Sequence, residues 1–295
     1  MVRVAVGAGG RDEPFCMRTG AGVYRRIRLG GMRGRVWPQN CGMKAARHLK
    51  VATWNIHKGF SSFGGRVVVH DLRERLQALG ADIVFLQEVQ GHHRQHGERH
   101  DNWPDAPQHE FLAAELWRHT AYGRNVVHDH GHHGNAILSR FPIVREHNQD
   151  VTHLAFERRG LLHCALDVPS LAEPLHCVCV HLSLLARSRR FQIDALADDL
   201  TARIGDDAPL VIAGDFNDWG NKAGPRLAAR LGLDEAHTVL HRRPAFSFPA
   251  RLPVLPLDRI YVRGLQVADC AVQRGPAWAR LSDHAALAAQ LIAAR

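Results

Sequence analysis

Residues 210 to 217 read Leu-Val-Ile-Ala-Gly-Asp-Phe-Asn. Four apolar residues in succession leave no polar face for solvent, so the run belongs to a buried strand. The run stops at Gly214. Asp215 and Asn217, two positions apart, then emerge on the same side where the strand gives out. Neither group is needed to make a strand, and the pair marks a site at a strand end.

Other segments repeat the arrangement. Thr53-Trp54-Asn55 closes the run from Leu49, and Gln87-Glu88 closes the strand that begins at Asp82. His181 closes Leu175 to Val180, Asp258 opens Arg259 to Val262, and Asp283-His284 opens Ala285 to Leu291. A turn Asp or Asn beside a glycine is ordinary in one segment. Its recurrence with acids, amides and imidazoles through one chain points to a shared site.

In this order, Trp-Asn, Leu-Gln-Glu, Gly-Asn-Ala-Ile-Leu-Ser-Arg, Val-His-Leu, Gly-Asp-Phe-Asn-Asp, Leu-Asp-Arg-Ile and Ser-Asp-His resemble the endonuclease/exonuclease/phosphatase superfamily from about Leu49 to Leu291. The resemblance implies an α/β fold, the DNase I-like four-layer αββα sandwich of two mixed β-sheets, with the site where loops from both sheets meet at one edge. It also implies metal-dependent hydrolysis of a phosphodiester or phosphomonoester. Asp215 resembles the aspartate that orients or deprotonates the attacking water, and His284 the essential histidine, with Asp258 fixing its tautomer. His181 resembles the histidine that protonates the leaving oxygen in the deoxyribonuclease and sphingomyelinase branches. Asn217 is expected to donate to a phosphate oxygen, and Asn135 is a further candidate substrate contact. Whether His284 acts as a base or as a phosphate-binding cation is left open.

A phosphate ester resists attack because its anionic centre repels the nucleophile and its alkoxide leaves poorly, so a site must supply positive charge and a proton. Glu88 is the best candidate principal metal ligand, with Asn55 and Asp283 beside it. A few oxygen donors without thiolate suit Mg²⁺ or Mn²⁺ and not structural zinc. His57 stands where apurinic endonucleases carry an acid, which weakens the case for a second metal.

Composition narrows the substrate. The net charge of +9 is concentrated in residues 1 to 42, whose eight Arg and two acids leave 30 basic against 27 acidic residues in the remainder. A nearly neutral domain fits lipid-linked or small phosphodiesters, or single-stranded or damaged nucleic acid, better than a tightly held duplex. Arg187, Arg189 and Arg190 are read as a solvated helix face. A non-catalytic binding module of the same fold is the reading from a different class; the survival of Glu88, Asp215, Asn217, Asp283 and His284 argues against it.

Residues 1–45 are expected to be a disordered Arg/Gly-rich extension, with Met43 as the candidate true start, and residues 46–295 a single domain. Cys177 and Cys179 could join His181 in a metal site but read better as reduced core residues. No membrane span or signal-peptide core is legible, so a cytoplasmic location is expected, with no obligate protein partner evident. Leu72, Leu76 and Leu79 mark a helix ending at Gly80, and Ile193, Leu196, Leu200 and Ile204 another stopped by Gly205. The ten histidines between His92 and His133 are read as solvated loops near the site mouth.

Overall fold

Alternate residues of the central strands are buried on opposite faces, and that requirement builds the architecture. In β1 (His48–Asn55), Val51 faces one core while Ala52 and Trp54 face another. The 210–217 run behaves likewise: in β8 (Leu210–Asp215), Val211 and Ala213 point one way and Leu210 and Ile212 the other. The computed structural model describes residues 48–62 and 65–293; the expectations for residues 1–45 lie outside them.

Two six-stranded mixed sheets result. The first has the order β11 (Leu265–Val272), β12 (Leu287–Ala293), β1, β2 (Ile83–His93), β4 (Gly131–Ser139) and β3 (His119–His128). The second runs β5 (Ile143–Asp150), β6 (Gly160–Leu166), β7 (Leu175–His181), β8, β10 (Asp258–Arg263) and β9 (Asp234–Glu235). Their inner faces meet in a core containing Val51, Phe85, Ile137, Cys164, Cys177, Cys179, Val211 and Ile260. On the outer face of the first sheet, Leu72 and Leu76 of α1 (Val69–Leu79) and Leu112 of α3 (Gln108–Ala113) pack on Trp54 and Leu86. On the outer face of the second, α4 (Ala186–Arg203) and α5 (Ala223–Leu231) pack on Val180, Leu210 and Ile212. The chain is thus the expected four-layer sandwich. The short helices α2 (Arg94–Arg99), α6 (Ala236–His241) and α7 (Pro276–Ala279) complete it. Among the described residues no helix is long and apolar enough to cross a membrane.

Two parallel pairs position the site. β1 and β2 are parallel and joined through α1; β7 and β8 are parallel and joined through α4. The C-terminal ends of all four strands therefore point to one edge, the usual place for a site in an α/β sheet. β10 is antiparallel to β8 and begins where β8 ends, so Asp258 sits opposite Asp215 in register. Gly214 lets this edge close. Its φ is +150°, and a Cβ placed on it would lie 1.9 Å from the Val180 carbonyl oxygen of β7.

Gly80 ends α1 as expected, in the left-handed conformation with its N–H on the Leu76 and Gln77 carbonyls. Four local expectations need correction. β2 does not end at Glu88: it passes through a bulge there, with Glu88 at φ +56°, and continues to His93 because β4 keeps pairing with it. α4 ends when Ile204 turns extended, and not at a left-handed Gly205. The histidine-rich stretch is mostly not loop: eight of its ten histidines lie in the end of β2, in α2, α3 and β3 and in the start of β4, and only His100 and His130 stand between elements. Arg189 is not on a solvated face. It is buried, donating to the carbonyls of Ser183 and Leu184 and lying over the Trp219 ring.

Candidate active site

The strand ends bring Asn55, His181, Asp215 and His284 together around one oxygen. Asp215 Oδ2 accepts from Asn55 Nδ2 at 3.2 Å and lies 3.5 Å from His181 Nε2 and 3.7 Å from His284 Nε2. Its other oxygen accepts the Asn217 backbone N–H at 2.9 Å. Burial, and then the nearby Asp258, push the Asp215 pKa up to about 7, against the pull of His284 and the hydrogen bonds. A carboxyl so placed can exchange a proton near neutrality.

His284 lies between two carboxylates. Its Nδ1 is 2.9 Å from Asp258 Oδ2, and the Trp54 indole N–H anchors its backbone carbonyl. Burial alone would favour the neutral ring, but Asp258, Asp215 and the Asp258 hydrogen bond outweigh it and raise the pKa to about 10. His181 is the opposite case: burial, then Arg159, His284, His133 and Lys58, drive its pKa well below 6.5. One ring is an imidazolium and the other a neutral base within reach of the same carboxylate oxygen.

Glu88 is held beside this cluster by its bulge. Asn55 Nδ2 lies 3.3 Å from Glu88 Oε1, so one amide spans the Glu88 and Asp215 carboxylates. Asn55 Oδ1 accepts the His57 N–H, and a half-turn of the amide exchanges its two ends. Ser282, the residue before Asp283, donates its hydroxyl to the Asn55 backbone carbonyl at 2.6 Å, which ties the start of the Asp283 segment to the end of β1. Asp215, Asp258 and His284 also offer ligand atoms within 4.8 Å of one another. A protonated His284 has no lone pair for a cation, however, so the hard-oxygen set at Glu88 and Asn55 suits Mg²⁺ or Mn²⁺ better. Four of the seven non-glycine residues with positive φ among the described residues, His57, Lys58, Glu88 and Asn217, stand at this edge.

Two expected substrate contacts look different in the fold. Asn135 gives its amide to the Gly160 and Cys179 carbonyls of the second sheet and is buried, so it braces the two sheets and has no hydrogen left for a phosphate. Asn217 donates from Nδ2 to the Leu182 carbonyl, which ties the end of β7 to β8 and leaves one amide hydrogen. Cys177 and Cys179 lie in the inter-sheet core, apart from any ion site, with their thiols pushed far above the usual range by burial. Lys58 escaped the sequence reading: its ammonium lies 3.9 Å from Glu88 Oε2, brought there by a turn with no legible pattern.

The sequence profile of the Endonuclease/Exonuclease/phosphatase family matches residues 52–284. The chain is 45% identical over 242 residues to the uncharacterised protein YbhP of Escherichia coli (strain K12), covering 82% of this chain and 95% of that protein. Its fold is similar to that of an endonuclease/exonuclease/phosphatase from Beutenbergia cavernae (TM-score 0.65, 22% identity, 84% of this chain and 72% of the other). It is also similar to the human Nocturnin catalytic domain with bound sulfate anion (TM-score 0.64, 21% identity, 83% of this chain and 94% of the other).

Proposed function

We propose, for a chain that belongs to the endonuclease/exonuclease/phosphatase family, that it hydrolyses a phosphodiester with a divalent ion held at Glu88, Asn55 and Asp283. The observation that carries this reading is the convergence of Asn55, His181 and His284 on Asp215 Oδ2. A bound Mg²⁺ or Mn²⁺ supplies Lewis-acid charge to the phosphoryl oxygens.

The protein's own groups do the rest. Asp215 orients a water and takes its proton as the new P–O bond forms. The His284 imidazolium, kept charged by Asp258, holds the charge that builds on the phosphoryl oxygens, and the remaining amide hydrogen of Asn217 adds a donor. His181 is neutral in the free protein. Its Nε2 lies 3.5 Å from Asp215 Oδ2, so the proton that Asp215 takes from water passes through His181 to the departing oxygen as the old P–O bond breaks. Water, diester and two proton positions thus balance to a monoester and an alcohol.

Purified protein incubated with bis-p-nitrophenyl phosphate and Mn²⁺ should release nitrophenolate, and chelator should stop it. No release with either ion, from protein with a cooperative melt, would overturn the reading in favour of a binding module. A panel of single-stranded oligonucleotides, phospholipids and inositol phosphates then identifies the substrate class.

A further inference from the structure

The loops that carry His181 and Asn217 continue directly into exposed apolar side chains. Leu184 and Leu185 follow β7, Trp219 follows β8, Phe191 lies on the first turns of α4, and Phe156 lies in the turn between β5 and β6. Phe156 is 82% exposed and the other four between 48 and 54%. They include every exposed Phe and Trp among the described residues. Exposed apolar clusters of this kind mark contact surfaces.

The segments are knit into one face. Glu157 receives hydrogen bonds from the Ser183 hydroxyl and the Leu184 N–H, fixing the Phe156 turn against the β7 exit. Arg189 donates to the Ser183 and Leu184 carbonyls while its guanidinium lies 4.8 Å from the centre of the Trp219 ring. His153 packs on Phe191. Between Arg189, Arg190, Trp219 and Lys222 opens a cavity of about 380 Å³. Arg189 is 4% exposed; its Nε makes no hydrogen bond and lies 4.0 Å from Oδ1 of Asp218, a carboxylate that also lines the cavity and accepts the Ala223 and Gly224 N–H groups on its other oxygen.

The charge around these apolar groups is positive. Arg187, Arg190 and Lys222 are exposed and make no ion pair among the described residues, whereas the neighbouring Arg226 is held by Asp194. Aliphatic and aromatic tips flanked by unpaired cations are the composition of an element that lies in a lipid headgroup layer. A nucleic-acid strand would use aromatic faces for stacking. Here the two leucines offer no such face, and Arg189 already covers one side of Trp219.

We propose that this face docks the protein on an anionic phospholipid surface, with the apolar tips in the acyl boundary and a headgroup phosphate in the Arg189–Arg190–Lys222 cavity. The catalytic edge lies three residues before Leu184, at His181, and two before Trp219, at Asn217, so docking would hold the site at headgroup level. The proposal concerns binding and stands independently of whether the chain hydrolyses a phosphodiester.

The test is flotation of the full chain with vesicles of phosphatidylcholine, alone or mixed with phosphatidylglycerol. Wild-type protein should float with the mixed vesicles and much less with phosphatidylcholine alone. A Leu184→Glu, Leu185→Glu variant with an unchanged melting curve should partition roughly a hundredfold more weakly. An Arg190→Glu, Lys222→Glu variant should lose the preference for phosphatidylglycerol. Mixed vesicles should also blue-shift wild-type tryptophan emission, and Trp219→Phe should abolish that shift. The eight Arg of residues 1 to 42 are present in every variant, so only differences between proteins count. Equal flotation of wild type and the Leu184/Leu185 variant overturns the proposal. So does tight binding of a single-stranded oligonucleotide that displaces the vesicles and is lost in the same variants, which would assign the face to nucleic acid.

Discussion

Replacing Asp258 by Asn should remove the charge that keeps His284 protonated, and the structure gives the effect a sign and a size. Asp258 is fully buried, 2.9 Å from His284 Nδ1. Burial works against the imidazolium, yet Asp258 and then Asp215 carry the His284 pKa up to about 10. A group whose pKa is higher in the folded state contributes stability that is fully present below its unfolded value, about 6.5 for histidine. That contribution is lost as pH rises through 10. The ceiling for such a shift is about 5 kcal/mol. Asp215, itself pushed up to about 7, supports the imidazolium only when ionised, so a change on the order of 3 kcal/mol is expected. Urea unfolding of both proteins in chelator, from about pH 6 to about pH 10.5, measures it. The wild-type advantage over Asp258→Asn should be largest near pH 6 and shrink steadily above pH 7, because lysine and tyrosine titration is common to both. An advantage that does not change with pH would mean His284 is neutral in the fold, and the phosphate-binding cation would have to be sought elsewhere.

Three further outcomes are expected. His181→Ala should slow hydrolysis of an alkyl phosphodiester by roughly 10² to 10⁴ but that of a nitrophenyl ester far less, since nitrophenolate leaves without a proton; equal losses would reduce His181 to a phosphate contact. Glu88→Gln should need much more Mn²⁺ for half-maximal activity while melting near the wild-type temperature, because the side chain is only partly buried; saturation at the wild-type Mn²⁺ concentration would remove Glu88 from the ion site. Gly214→Ala should destabilise the protein by on the order of 3 kcal/mol, since its Cβ would meet the Val180 carbonyl at 1.9 Å; an unchanged urea midpoint would show that β7 and β8 can part without cost.

What could be read from the chain was whatever local pattern decides. Runs such as 210–213 are apolar because both faces of their strands are buried, and polar groups at their ends stand out against that background. The edge that gathers Asn55, His181, Asp215 and His284 was therefore visible before the fold was. Contacts made by long-range register were not. Asn135 reads as a substrate contact beside Gly134, but pairing with β3 and β2 carries it into the space between the sheets, where two carbonyls of the opposite sheet take its hydrogens. Arg189 reads as one of three surface arginines. The turn from β7 into α4 folds it back under Leu184, leaving Arg187 and Arg190 outside. Glu88 was expected where its strand stops, and the geometry differs: the strand does not stop there but bulges, with Glu88 in the left-handed backbone while β2 goes on to His93. Sequence periodicity reports which face a residue takes, and a bulge changes the face without changing the composition. The residues it misplaces are thus those at which the strand departs from regular pairing, and here they border the site because the departure is what turns a side chain out of the core.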